Sequence, residues 1–277
     1  MQNMSVLDRF FYQIKGPVDG RKWVFLHGLM GFSANWMKIV SELQKSENCL
    51  VFDQRGHGRS FQPESGYTAQ DYASDLQEIT EALSWNRFIL VGHSLGARNA
   101  LTFARLFPEK VEKLVLEDPA VNFSAESSEY YENLLTSIPT PFTNRDEARS
   151  FFQTEFSQKV KTRESGPMMA QFFYANMISL PNGTVDWRFS KKGILETVRD
   201  GANQDPWTNL QALSVPTLII RGERSSELSR PNMQRILALN PLIQGVEIND
   251  AGHWVHTDQP QVFTDVLKDF VGVGKRP

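Results

Sequence analysis

Short apolar runs rich in β-branched residues recur along the 277-residue chain, separated by longer stretches whose apolar positions return every three or four residues. The short runs predict strands buried on both faces, and the longer stretches predict amphipathic helices. Strands are expected at residues 23–26, 50–52, 88–91, 114–116, 217–220 and 246–248, with an earlier strand or hairpin over 10–14. Helices are expected at 35–44, 69–83, 95–107, 232–239 and 262–271. Thr68, with Asp71 three residues on, supplies a capping box for the second of these. Strand and helix alternate, which is the pattern of a mostly parallel sheet covered by helices on both faces.

Between residues 120 and 211 the pattern changes, and no clear strand is legible. Pro139 and Pro141 interrupt the run, and Asn144 followed by Glu147 marks a fresh helix start. The segment is rich in Phe, Tyr and Met, among them Tyr130, Tyr131, Phe151, Phe152, Met169, Phe172, Phe173 and Trp187. It reads as a small helical cap, residues 121–210, interrupting a core made of 1–120 and 211–277. Most of these aromatic residues are expected to fill the cap's own core, and a few to line an apolar pocket against the sheet. The last residues, 272–277, read as a loose tail.

The composition is 40% apolar and 22% charged, ordinary for a globular protein. A net charge of −3 offers no footprint for nucleic acid or an anionic membrane. No apolar run approaches the length of a membrane span, which needs about 18 residues or more. The N-terminus lacks the basic and apolar regions of a signal peptide, so the cytoplasm is the expected compartment. The single cysteine, Cys49, excludes an internal disulfide and a multi-thiolate metal site, and it reads as a small buried hydrophobe.

The candidate chemistry centres on Gly92-His93-Ser94-Leu95-Gly96, placed between the strand at 88–91 and the helix at 95–107. A turn this sharp leaves little room for flanking side chains and lifts the serine hydroxyl above the sheet end. Ser94 is therefore the candidate nucleophile. It needs a base within hydrogen-bond reach, and five histidines compete for that role. His27 opens a glycine loop and reads as structural. His57 lies in a glycine-rich loop after a strand and reads as fixing that loop. His93 should point away from Ser94, and His256 reads as a surface or packing position with a supporting role as the lesser alternative. His253, in a Gly-His loop just after the last strand, is the candidate base.

The acid that orients the imidazole is expected at Asp118, at the end of the strand after the nucleophile's. The alternative is Ser225, three residues after Gly222 in the next strand's turn, where an aspartate would be the ordinary occupant. Glu223 and Glu227 lie nearby but offset. The backbone amides of Leu29 and Leu95 are the candidate oxyanion donors. Met30, Phe32, Trp36, Trp187 and Trp254 are the candidate substrate-binding side chains. No metal or cofactor is called for.

The segments His27-Gly28-Leu29-Met30-Gly31, Asp53-Gln54-Arg55-Gly56-His57-Gly58-Arg59-Ser60, Gly92–Gly96 and Ala251-Gly252-His253-Trp254-Val255-His256 together resemble the α/β-hydrolase superfamily over nearly the whole chain. Ser225 and the Gly-His-Trp-Val-His string are similar to those of small bacterial carboxylesterases and their mitochondrial α/β-hydrolase-domain relatives. That resemblance implies a mostly parallel sheet with a helical cap inserted after the sixth strand. It also implies cleavage of small carboxylic esters or acyl thioesters without a cofactor. The chain departs from many such members at Ala97 and Arg98. Lactone or carbon–carbon hydrolysis by the same fold is a second expectation, which a polar cap residue such as Arg188 reaching the site would favour. A slow-turnover ligand sensor on the same scaffold is a third.

Overall fold

Strand periodicity sorts the buried apolar residues into two cores. In the strand Phe88–His93, Phe88 and Leu90 face one core, and Ile89 and Val91 face the other. The computed structural model describes residues 5–121, 125–160 and 166–272. Among them are nine strands: β1 (Tyr12–Lys15), β2 (Lys22–Leu26), β3 (Asn48–Phe52), β4 (Phe88–His93), β5 (Val111–Glu117), β6 (Met177–Ser179), β7 (Val185–Trp187), β8 (Thr217–Gly222) and β9 (Ile243–Ile248). Seven form one sheet in the order β1-β3-β2-β4-β5-β8-β9. β1 is antiparallel to β3 at one edge, and all other neighbours in this sheet are parallel.

The helices in chain order begin with α1 (Met37–Leu43), α2 (Ala69–Ala82) and α3 (Leu95–Leu106). The cap segment supplies α4 (Ala125–Thr136), α5 (Arg145–Ser150), α6 (Phe156–Lys159), α7 (Gly166–Ala175), α8 (Lys191–Ala202) and α9 (Pro206–Gln211). The chain then returns through α10 (Arg230–Leu239), α11 (Val255–Asp258) and α12 (Pro260–Val271). Apolar residues of α2, α3, α9 and α10 pack on one sheet face, and those of α1 and α12 on the other. With both faces covered, the central strands must be apolar throughout, which is why they read as unbroken runs. Cys49 is buried among them, and burial pushes its thiol up to about 12. Thr68 and Asp71 close the expected capping box on α2. No helix of the described residues is long and apolar enough to cross a membrane.

The cap elements contribute a third core, including Phe142, Phe151, Phe152, Phe156, Phe173 and Trp187, against which Met30 packs from the main body. Two expectations change here. The cap leaves the sheet after β5, the fifth described strand and not the sixth, because the N-terminal edge carries one strand where a hairpin would have added another. The segment also contains a two-stranded ribbon, β6 and β7, that the hydrophobic pattern did not reveal. Strands of three residues are too short to show alternation, and the Gly183 turn between them is the visible trace. Asn144 caps α5 by accepting from the Asp146 and Glu147 amides, but Glu147 turns back to Thr143, not to Asn144. The tail beyond 272 lies outside the described residues.

Candidate active site

The turn from β4 into α3 gives Ser94 a backbone of φ 53° and ψ −112°, a region a side-chain-bearing residue rarely enters. Its amide donates to the Glu117 carbonyl at 3.0 Å, tying the turn to the end of β5. The two glycines follow from contact. A Cβ on Gly92 would collide with the Gly96 carbonyl, and one on Gly96 would collide with the Leu26 carbonyl. Ala97 is fully buried, and the buried Arg98 beside it donates to the Thr197 carbonyl of α8 at 3.0 Å. The departure at 97–98 thus joins the elbow helix to the cap.

His253 and Asp118 come together. The ring Nδ1 lies 2.6 Å from Asp118 Oδ2, and because a carboxylate only accepts, Nδ1 carries the proton. Nε2 is then the nitrogen left to take a proton from a hydroxyl. Burial disfavours the charged ring, but the Asp118 carboxylate outweighs burial and raises the His253 pKa above its ordinary value, with help from Glu227 and Glu117. Ser225 does not compete with Asp118. Its hydroxyl donates to the same Asp118 Oδ2 and accepts from the Glu227 amide at 3.1 Å, so the acid is held by the alternative candidate. Glu223 accepts from the Asp250 amide at 3.1 Å and serves that turn.

The glycine loops are fixed by neutral histidines. His27 accepts from the Gln54 amide at 3.0 Å, so its Nδ1–H donates to the Gly28 carbonyl, and burial lowers its pKa to about 4. His57 Nε2 accepts from the Met30 amide at 3.2 Å while its Nδ1–H donates to the Arg55 carbonyl. Burial, reinforced by His27, lowers its pKa to about 3. Asp53 accepts from the Ser33 amide at 2.7 Å and the Arg59 amide at 2.9 Å. These bonds hold the 28–33 loop against the 53–60 loop. Leu29 follows Gly28 in that loop. Leu95 opens α3, so its amide has no acceptor within the helix.

One histidine differs from expectation. His93 was expected to point away; its ring lines the cleft with Ser94 and its Nε2–H donates to the His253 carbonyl at 3.0 Å. Burial, then His253 and His256, holds its pKa well below the ordinary value. Of the readings open for His256, packing is the one the structure shows, with its ring 4.4 Å from that of Trp36. Glu117, which the sequence reading passed over, is fully buried and accepts from both the amide and Nδ1 of His256 at 2.8 Å. Glu117 therefore holds the Ser94 turn through its carbonyl and the His253 loop through its carboxylate. The signal in the sequence was a doubled spacing: two adjacent acids at a strand end, and two histidines one helical turn apart. His93, Glu117 and His256 offer ligand atoms within 4.8 Å of one another, the spacing of a metal set, but Glu117 and His256 already bond each other and His93 bonds a carbonyl.

A cleft of about 50 Å³ opens over Ser94 and His253, lined also by Leu29, Met30, Trp254 and cap residues including Met169 and Phe172. Three proposed substrate contacts are not among its lining residues. Phe32 lies under the Arg188 guanidinium, 4.5 Å from its ring centre. Trp36 is sealed against His256, and Trp187 stacks on Phe189 inside the cap at 4.8 Å. Trp36 and Trp187 are drawn into packing because a large ring gains more from full burial than from a partly wet wall, whereas Phe32 stays half-buried beneath Arg188.

Known proteins are similar to this chain over nearly its whole length. The chain is 28% identical over 269 residues to a putative esterase/lipase of Haemophilus influenzae, covering 96% of this chain and 88% of that one. It is 28% identical to the sn-1-specific diacylglycerol lipase ABHD11 of Danio rerio, covering 98% of this chain and 84% of that one. The crystal structure of E-2-(acetamidomethylene)succinate hydrolase superposes with a TM-score of 0.80 at 26% identity, covering 95% of this chain and 94% of that one. The model of the alpha/beta hydrolase fold matches residues 24–260, and the chain belongs to that family of hydrolases.

Proposed function

We propose that this protein is a serine carboxylesterase that cleaves esters, or acyl thioesters, of small apolar acyl groups. The observation that carries the reading is the 2.6 Å bond from His253 Nδ1 to Asp118, which leaves Nε2 to act as the base on a residue that lines the same cleft as the strained Ser94. Ser94 Oγ attacks the acyl carbon as His253 takes its proton. The tetrahedral oxyanion rests on the Leu29 and Leu95 amides, an arrangement in which each donor is worth about 10²–10³ in rate. His253 then protonates the leaving group and activates water to release the acid. Residues 121–210 act as the roof, through Tyr130, Tyr131, Met169 and Phe172. A cleft of about 50 Å³ has room for only a few methylene-sized groups. A polar cap residue such as Arg188 reaching the site would have favoured the lactone or carbon–carbon reading, and Arg188 sits over Phe32 instead; the similarity to 2-(acetamidomethylene)succinate hydrolase supports that reading as the second one.

A fluorophosphonate probe should label the wild type and leave Ser94→Ala unlabelled. Labelling that survives the substitution refutes the assignment. Steady turnover of a chromogenic ester above about 1 per second separates an enzyme from a single-turnover sensor. Across acyl chains, kcat/KM should rise from acetyl to butyryl by at most about 0.8 kcal/mol per CH₂ and fall beyond it.

A further inference from the structure

Asp118 takes both of its side-chain bonds on one oxygen, Oδ2: the His253 ring at 2.6 Å and the Ser225 hydroxyl. Oδ1 is buried and has no hydrogen-bond partner among the described residues, so it gives the carboxylate no second anchor. The direction of the acid is then only as firm as the turn that presents Ser225. The backbone closes that turn in part. The Ser225 amide donates to the Gly222 carbonyl at 3.0 Å, and the Glu227 and Leu228 amides donate to Ser225 Oγ at 3.1 and 3.4 Å. Three carbonyls of the same turn are gathered by one buried side chain, Arg221 at the end of β8. Its Nε donates to the Leu228 carbonyl at 2.5 Å, and its Nη2 to the Glu223 and Ser225 carbonyls at 3.1 and 3.3 Å. Its Nη1 donates to the Glu247 carboxylate of β9, which Arg230 of α10 also binds, at 2.8 Å to each oxygen.

Three carbonyls and a carboxylate around one point call for donors in several fixed directions. A guanidinium supplies five N–H groups in a rigid planar fork, whereas a lysine ammonium has three on a single nitrogen and cannot span the set. Buried carbonyls that lose their donor cost free energy, and a turn relieves that cost by changing shape. Resting on the serine esterase reading above, we infer that Arg221 is a positioning residue for the reaction. It is not among the residues lining the cleft. It holds the turn that places the Ser225 hydroxyl, the hydroxyl holds Asp118 Oδ2, and Asp118 holds the His253 ring. When the fork is lost the turn relaxes, the hydroxyl leaves Oδ2, and the carboxylate no longer meets Nδ1 at its native angle.

The test measures kcat and KM on a chromogenic acetate ester, with active sites counted by the fluorophosphonate probe so that unfolded protein does not enter the rate. Arg221→Lys keeps a charge beside Glu247 but gives up the fork. It should lower kcat per labelled site about tenfold with KM unchanged, the size of one lost supporting hydrogen bond. Arg221→Met should lower it at least as far. A residue that only stabilised the fold would reduce the number of labelled sites and leave the rate of each unchanged. The second measurement combines Arg221→Lys with Ser225→Ala. Because Arg221 acts through that hydroxyl, the double variant should lose no more than Ser225→Ala alone, about tenfold. An unchanged kcat per labelled site, a loss confined to KM, or a double variant whose loss is the product of the two single losses overturns the inference. Where Arg221→Met yields no labelled sites, Arg221→Lys decides by the same two readings. A wild type that fails to label overturns the esterase reading instead.

Discussion

Ser94, Asp118 and Met30 sit at positive φ, 53°, 45° and 59°, where strands of the core end in tight turns, whereas Tyr130, Tyr131, Met169 and Phe172 face them from regular cap helices. Around the first set, hydrogen bonds fix direction: Ser94 to Glu117, Asp118 to the Ile220 carbonyl at 2.7 Å, Met30 to His57. Around the second, packing of rings and thioethers dominates. Directional bonds at strained backbone hold an atom to a few tenths of an ångström. Apolar packing holds a volume, and volume can be refilled. The polar ties between the regions gather on α8, where Glu196 accepts from the Gly66 and Tyr67 amides and Asp200 from that of Ala69. Substitutions on the core side should therefore change rate by orders of magnitude. Those on the cap side should change substrate choice by small factors.

The largest effect separating the two regions is expected at Asp118. Asp118→Asn should keep the fold and lower kcat by up to about 10⁴, because an amide favours the wrong imidazole tautomer. Its pH profile carries a sign. Asp118 raises the His253 pKa, and the base works only when deprotonated, so loss of the carboxylate should move the acidic limb of kcat/KM to lower pH. An acidic limb that stays in place would show that another group sets it.

Glu117→Gln comes next. It touches no substrate-facing atom, yet it should lower kcat about 10²-fold, the scale of a small misplacement of reacting groups, with KM little changed. An unchanged kcat would make the Glu117–His256 pair mere packing. Ser225→Ala should cost about tenfold, the loss of one supporting hydrogen bond of about 1 kcal/mol. A cost as large as that of Asp118→Asn would make the hydroxyl the principal partner of His253. The smallest change belongs to the cap. Phe172→Ala should raise the hexanoyl-to-butyryl ratio of kcat/KM by a few-fold, as about two further methylenes find room. If it instead cut kcat on acetyl esters by more than about tenfold (roughly 1.4 kcal/mol), the cap would share in positioning the chemistry, and the contrast between the regions would fail.

Much of the core was legible because parallel strands buried on both faces leave unbroken apolar runs, as Phe88–His93 does, and because helix caps such as Thr68–Asp71 are local. The placement of Ser94 at a strand-to-helix turn was legible for the same reason, since the glycines that permit the turn lie within two residues of it. The β6–β7 ribbon was not legible, because two short strands carry no period of their own. Nor was the retreat of Trp36 and Trp187 into packing, or the pairing of Phe32 with Arg188: an aromatic residue has the same letter in a wall as in a core.

The sequence by itself determined which segments of the core become strands and helices, where the serine turn falls, and that a histidine follows the last strand, because each depends on neighbours a few residues away. Only the tertiary structure decided that Ser225 and His253 both bond the same oxygen of Asp118. It also decided that Glu117 bonds His256 across 139 positions, and that Glu227 faces the cleft. Those facts depend on the sheet order that sets β5 between β4 and β8. Contacts across strands far apart in the chain leave no trace in local pattern, since burial and partner choice are settled only when the layers close.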